Sequence, residues 1–329
     1  MTAEFDVLAI GNAIVDVLAQ TTDEFLEAEG IAKGSMRLIP AEEASALYAK
    51  MGPGREVSGG SAANSCAGVA ALGGKAAFIG RVSDDQLGSV FAHDIRAVGV
   101  DFQTPPAKGG PPTGQCLILV SPDGQRTMNT YLGSCQEVDE GDVDEARVRA
   151  AKVTYIEGYL WDPAAPIRAC TKALAVAKAA GRTTAMTLSD VFCVEGHRDD
   201  FLALIPRSID LVFANENEAK ALFRTDDVME AVEALSKLAP IAVVTRSEKG
   251  AIVVNGHGRE EVPAQQVARV LDTTGAGDLF AAGFLTGFTR GRPLRECAVM
   301  GTIAAGEVIE HFGARPEADL VARVKAVLG

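Results

Sequence analysis

The chain is short of most features that assign a protein quickly. Its 329 residues hold 6 cysteines, from Cys66 to Cys297, and none has the C-x-x-C spacing of a redox or zinc motif. Several lie in apolar segments, where cysteine acts as a small buried residue, so a disulfide scaffold is not expected and a reducing compartment fits. The 4 histidines are isolated and give no zinc pattern. Lys+Arg number 31 against 44 Asp+Glu, a net charge of −13, with no basic run. That argues against a nucleic-acid binder and reads as a solvated surface. The acidic cluster 137–145 reads as a loop and helix start, not as a metal site. No apolar stretch approaches the ~20 residues of a membrane span. Residues 1–6 lack a basic and an apolar targeting region, so a cytoplasmic protein without membrane partners is expected. There is no Gly-x-x-x-x-Gly-Lys-Ser/Thr loop, hence no P-loop lysine to hold phosphate.

What is present is alternation. Short apolar runs at 7–10, 76–80, 153–156, 184–188, 211–214 and 241–245 read as buried strands. Helical candidates lie between them at 62–72, 86–98 and 167–180. In a late helix Leu294, Ala298, Gly301, Ala305 and Val308 recur on one face. Such alternation predicts a mostly parallel sheet with helices on both faces. Two segments, 12–40 and 112–132, break the pattern with β-type runs. The second contains the turn Ser121-Pro-Asp-Gly124 between two alternating runs, a hairpin. Together they read as one small β lid, which would exclude water from a reacting centre.

The run Asp272-Thr-Thr-Gly-Ala-Gly-Asp278 carries the chemistry. A strand-like segment, 261–271, is expected to feed it, and a buried helix to begin in it. Gly275 and Gly277 leave the backbone bare, and the helix start adds unpaired N–H donors and a positive dipole end. That is an anion cradle made of backbone. An acid near a helix start can be a plain cap, favourable by roughly 0.3–1 kcal/mol. Inside an anion cradle, however, it repels phosphate unless it has a task, and taking a proton from an attacking hydroxyl is such a task. A dinucleotide fingerprint would need Gly or Ala where Phe280 stands, and Asp278 would face the pyrophosphate.

A second glycine turn, Ser58-Gly-Gly-Ser-Ala-Ala-Asn64, also opens a helix. Open α/β sheets bind ligands at the carboxyl ends of their strands. Asn12 and Asp16 follow the first strand and would share one cleft with Gly59, Gly60 and Asn64. Paired Asp and Asn side chains suit vicinal sugar hydroxyls.

With both turns in view, the chain resembles the ribokinase/PfkB family of carbohydrate kinases from about residue 7 to 316. The matching signatures are Gly59-Gly60-Ser61-Ala-Ala-Asn64, with Gly80-Arg-Val-Ser-Asp84 after it, and Asp272-Thr-Thr-Gly-Ala-Gly-Asp278. Within the family it is most similar to the adenosine kinase branch, through Gly11-Asn-Ala-Ile-Val-Asp16, Tyr155-Ile-Glu-Gly158, Asn215-Glu-Asn-Glu218 and Phe312-Gly-Ala-Arg-Pro316. The resemblance implies a three-layer α/β/α sandwich with a small β lid, as a single domain over 1–329, monomer or homodimer. It implies an ATP-dependent phosphotransferase with an alcohol acceptor, the 5′-hydroxyl of adenosine in purine salvage. The alternatives are a sugar kinase of the same family, for ribose, fructose or 2-keto-3-deoxygluconate, and a non-catalytic nucleoside binder.

By the resemblance Asp278 is the catalytic base, and Gly275, Ala276 and Gly277 form the anion hole. Asn12, Asp16, Gly59, Gly60 and Asn64 bind the sugar. Asn215 and Glu218 organise Mg²⁺ and phosphate through water, Thr245 and Gly250 border ATP, and Arg126 closes on the phosphate. A K⁺ site would use main-chain carbonyls near Asp272, Thr274 and Gly313. Departures are Met36 in place of a lid Gln, Ser247 in place of a Gly in the ATP loop, and Leu160 where an aromatic often stacks on the base. Tyr159 or Trp161 would supply that stacking face instead. A sugar-acid substrate would want a further cation, for which Arg37 is the candidate. The lid residues Val15, Val17, Leu117 and Leu119 would serve a core or an interface.

Overall fold

A computed structural model describes residues 3–329. Strand β1 (Phe5–Ile10) leads to a first excursion: β2 (Ile14–Gln20), α1 (Asp23–Ala28), β3 (Met36–Leu38), α2 (Ala41–Lys50) and β4 (Gly54–Gly59). Helix α3 (Ser61–Ala71) returns to β5 (Ala76–Ile79), α4 (Gln86–Ala97) and β6 (Asp101–Phe102). The hairpin β7 (Gly114–Val120) and β8 (Arg126–Tyr131) is the second excursion, and α5 (Glu145–Arg149) follows it. Regular alternation then runs through β9 (Ala151–Glu157), α6 (Ala164–Ala179), β10 (Thr183–Thr187), α7 (Val191–Ser208), β11 (Leu211–Asn215), α8 (Glu216–Phe223), α9 (Val228–Leu238) and β12 (Ile241–Thr245). The chain ends with β13 (Ala251–Asn255), β14 (Gly258–Val262), α10 (Ala276–Thr289), α11 (Leu294–Val308) and α12 (Leu320–Leu328).

Nine strands form the main sheet in the order β14-β13-β12-β11-β10-β9-β1-β5-β6, parallel from β12 to β6. Successive side chains of a strand point to opposite faces. Val7 and Ala9 therefore join the core under α3, α10 and α11, while Leu8 and Ile10 join the core under α6 and α7. Both faces are covered, so the strands are apolar throughout, as the short runs indicated.

The excursions form a five-stranded sheet in the order β3-β8-β7-β2-β4. Its back face carries Val15, Val17, Leu117 and Leu119, at most 3% exposed, within the main core cluster. These four therefore belong to a core and not to an interface. The opposite face carries Ile14, Cys116 and Ile118.

Two expectations need correction. The small sheet does not end near residue 40 on its first side: β4 continues it to Gly59. That strand, Gly-Arg-Glu-Val-Ser-Gly, is an edge with a polar, largely exposed start, so it has little apolar signal. Nor is 261–271 a strand: β14 stops at Val262, and Pro263, which has no N–H to continue a ladder, begins an irregular segment up to the turn. Among the described residues no helix is long and apolar enough to cross a membrane, and all six cysteines are buried and unpaired.

Candidate active site

The carboxyl ends of the main strands and the front face of the small sheet enclose a cleft of about 670 Å³, the size of a small-molecule site. Both glycine turns meet there. Gly60 caps α3 at φ 96°, and a Cβ on it would stand 2.1 Å from the Asn12 carbonyl oxygen. Gly275 caps α10 at φ 77°, and a Cβ there would meet the Ala314 Cβ at 2.5 Å. Only glycine satisfies both the backbone and the space.

Asp278, in the first turn of α10, is the point where the two turns join. Its Oδ1 accepts from Ser61 Oγ at 2.6 Å and its Oδ2 from Asn64 Nδ2 at 2.9 Å, both from α3. Ser65 Oγ donates to its carbonyl at 3.0 Å. Burial raises its pKa, opposed by the Ser61 and Asn64 bonds and by Arg315. The carboxylate is thus oriented by two donors and faces the cleft.

In the turn itself, the Thr274 N–H is engaged by Asp272 Oδ1 at 3.0 Å and the Ala276 N–H by the Thr273 carbonyl at 3.2 Å. Gly275, Gly277 and Asp278 keep N–H groups without an acceptor among the described residues. A Cβ on Gly277 would meet nothing within 4 Å, so this backbone faces open cleft. Of the three residues expected to form an anion hole, Gly275 and Gly277 thus keep open N–H groups, as does Asp278, while the Ala276 N–H is already engaged.

Of the residues expected at a sugar, Asn12, Asp16, Gly60 and Asn64 line the cleft. The Asp16 carboxylate has no hydrogen-bond partner among the described residues, and the Asn64 Oδ1 is likewise buried without one. Two unpaired acceptors suit a ligand rich in hydroxyl donors. Burial lifts Asp16 to about 6, against Arg126 and Arg315, which lower it. Gly59 does not line the cleft: it lies under the Asp16 carboxylate, whose atoms a Cβ would meet at 2.5 Å. Asn12 is 5% exposed, and its N–H donates to Glu157 Oε1 at 2.8 Å.

Among the residues expected to border ATP, Asn215 Oδ1 caps α8, and Glu218 accepts back from the Asn215 N–H at 2.9 Å, a reciprocal capping box. Glu218 and Thr245 line the cleft. Gly250 does not: it turns from β12 to β13 at φ 83°, against the Val262 carbonyl. Arg126 also stays off the cleft, because its guanidinium pairs with Asp272, whose Oδ2 also accepts the Gly313 N–H at 2.8 Å.

Apolar side chains also line the cleft, beside Ser189, Asp190 and His197. Met36, Leu38, Ile118, Tyr159 and Phe192 line it, and the Tyr159 and Phe192 rings lie 5.9 Å apart. Of the two expected stacking residues, Tyr159 lines the cleft. Trp161 is buried against Phe201, and Leu160, 1% exposed, lies in the core. Arg37 turns away, to Glu43 at 2.6 Å and Asn129 at 2.6 Å.

Three contributors escaped the sequence reading. Glu157, fully buried, accepts from the Asn12 and Ala62 N–H groups at 2.8 Å and is raised to about 7 by burial. A charge closing the apolar run 153–156 was its signal. Phe192 had none beyond being aromatic, and the role of Arg315 depends on contacts far apart in the chain.

A model of the pfkB family carbohydrate kinases matches residues 23–319. The chain belongs to the PfkB family of carbohydrate kinases. Relatives that match it nearly end to end agree. It is similar to the crystal structure of adenosine kinase from Sinorhizobium meliloti, with a TM-score of 0.92 and 53% identity over 98% of this chain and 99% of that one. A probable sugar kinase from Rhizobium etli CFN 42 also superposes at 0.92, with 50% identity over 99% of both chains. Adenosine kinase of Saccharomyces cerevisiae is 28% identical over 95% of this chain and 96% of its own. This PfkB kinase is accordingly a phosphotransferase with an alcohol acceptor and ATP as co-substrate, built on the ribokinase-like α/β/α sandwich.

Proposed function

We propose that this kinase transfers the γ-phosphoryl group of ATP to the 5′-hydroxyl of adenosine, giving AMP and ADP. The observation that carries this reading is the set of apolar side chains in the cleft lining, the neighbouring rings of Tyr159 and Phe192 with Met36, Leu38 and Ile118. A purine has flat faces to bury against such walls, and a free sugar has none. The likeness to the Sinorhizobium meliloti adenosine kinase supports it. So does Arg37, which is engaged with Glu43 and Asn129 and is not offered to a sugar acid.

In this reading the unpaired acceptors of Asp16 and Asn64 take ribose hydroxyls. Asp278 takes the 5′-hydroxyl proton as the phosphoryl group leaves ATP. The N–H groups of Gly275, Gly277 and Asp278 hold the transferring oxygens in place of a P-loop lysine. The residues present fit Mg²⁺. Glu218 is buried, lifted to about 7 by burial and by the neighbouring Asp190 and Asp278, and a hard cation would relieve that crowding. Mg²⁺ would be held through water by Glu218, itself oriented by Asn215, and would neutralise phosphate charge. K⁺ is left to main-chain carbonyls, because both Asp272 carboxylate oxygens are engaged. The same reading makes the five-stranded sheet a lid within a single domain, acting as a monomer or homodimer in cytoplasmic purine salvage.

The test is ADP release with Mg²⁺–ATP against adenosine, inosine, guanosine, ribose, fructose and 2-keto-3-deoxygluconate. A kcat/KM highest for adenosine is expected. Turnover with free sugars alone would overturn the assignment and establish the sugar kinase.

A further inference from the structure

The segment between α11 and α12 is bound to the active-site turn at several points. Gly313 donates to Asp272 at 2.8 Å, and Ala314 fills the space beside Gly275. Behind it Glu307, 1% exposed, accepts the Glu317 and Ala318 N–H groups at 2.9 and 2.7 Å and meets His311 Nε2 at 3.2 Å. From this anchored segment Arg315 projects inward. Its Nη1 donates to the Ala63 carbonyl at 3.0 Å, and its Nη2 to the Ser58 carbonyl at 2.5 Å and to Ser58 Oγ at 2.9 Å.

These acceptors are all neutral, and the Nε has no partner. The guanidinium is thus a cation without a direct carboxylate contact, set among Asp16, Asp94 and Asp278, whose fields act on it. Asp94 is engaged elsewhere, accepting from the Ser58 N–H at 2.7 Å and Oγ at 2.6 Å. What remains is one positive charge that acts on both acids facing the substrate, alone on Asp278 and together with Arg126 on Asp16. The bonds to Ser58 and Ala63 also close the ends of the Gly59-Gly60 turn. That turn seats Asp16 on one side and presents Ser61 and Asn64 to Asp278 on the other.

We propose that Arg315 is a positioning residue for phosphoryl transfer, holding the Ser58–Ala63 turn in shape and placing its positive charge near Asp278. The inference rests on Asp278 as the base. The other groups whose charge reaches Asp278 are Asp16 from β2, Glu157 and Tyr155 from β9, Tyr159 after it, and Glu218 from α8. None of them is a cation, so among the described residues none replaces Arg315 there.

The experiment compares Arg315→Gln and Arg315→Lys with the wild type in pH profiles of kcat, alongside Asp278→Asn. Removing the cation favours protonated Asp278, so the acid limb of the glutamine variant should move to higher pH by on the order of one unit. The lysine variant should keep the limb in place while the acceptor KM rises, because the charge is retained and the paired turn contacts are lost. A merely structural arginine would lower activity equally at every pH and leave the limb unmoved in both variants, which overturns the proposal. Should the glutamine variant not fold, Arg315→Met takes its place in the same profile: a limb moved to higher pH supports the proposal and an unmoved limb overturns it, and a displaced limb in the lysine variant sinks it as well. Substantial turnover by Asp278→Asn would remove the base itself. An inactive Asp278→Asn with an unmoved Arg315→Gln limb would remove only the role of Arg315.

Discussion

The two glycine turns look alike in sequence and differ in what their bare backbone faces. At the turn before α3 both faces are occupied by the protein itself, Gly60 by the Asn12 carbonyl and Gly59 by the Asp16 carboxylate. At the turn before α10 the duties are divided: Gly275 packs on Ala314, while Gly277 has nothing within 4 Å. The first turn is glycine-rich so that the cleft can be built. The second leaves one bare face open to the cleft, where the proposed phosphate would come close. A glycine pattern alone does not separate these causes, and the space around the missing Cβ does.

The comparison can be broken most severely at the residue that joins the turns. Asp278→Asn should leave both substrates bound while kcat falls by about 10²–10⁴; steady-state kinetics with separate binding measurements check it. Next, Gly277→Ala should fold with stability within about 0.5 kcal/mol of the wild type. It should nevertheless lose about 10²-fold in kcat, the scale of one misplaced anion donor. Gly60→Ala should do the opposite, lowering Tm through a strained backbone worth about 1–3 kcal/mol before the clash with Asn12 is counted. Equal losses of Tm in both variants would erase the distinction drawn here.

The smallest effect is electrostatic. Burial raises Asp16 to about 6 and Glu157 and Glu218 to about 7, so the folded protein holds protons that the unfolded chain has released. Stability from these groups is present at low pH and lost as pH rises through 6–7. The ligand-free Tm should therefore climb as pH is lowered from about 8 to 6. Asp16→Asn should flatten that slope, as thermal melts across the range would reveal, and should raise the acceptor KM.

Much of this was legible in the chain. The buried strands announced themselves because parallel strands covered on both faces are apolar at every position, as in β1 and β12. The turn residues Asp278 and Asn64 were legible because polar groups stood beside glycines at helix starts. The edge strand β4 was not, because half of it faces solvent and carries Arg55 and Glu56. Arg126 showed its residue type but not its partner, since Asp272 lies 146 positions away. Arg315 was the hardest to read. Its surroundings come from β2, β4, α3 and α10, and no local pattern reports burial of that kind.

The back face of the small sheet has a thermodynamic consequence. Val15, Val17, Leu117 and Leu119 share one apolar cluster with Val7, Phe78 and Phe284. Peeling β2 and β7 away would expose that interior to water. The five-stranded sheet should therefore have no separate melting point: heat should dissolve both sheets in one cooperative transition.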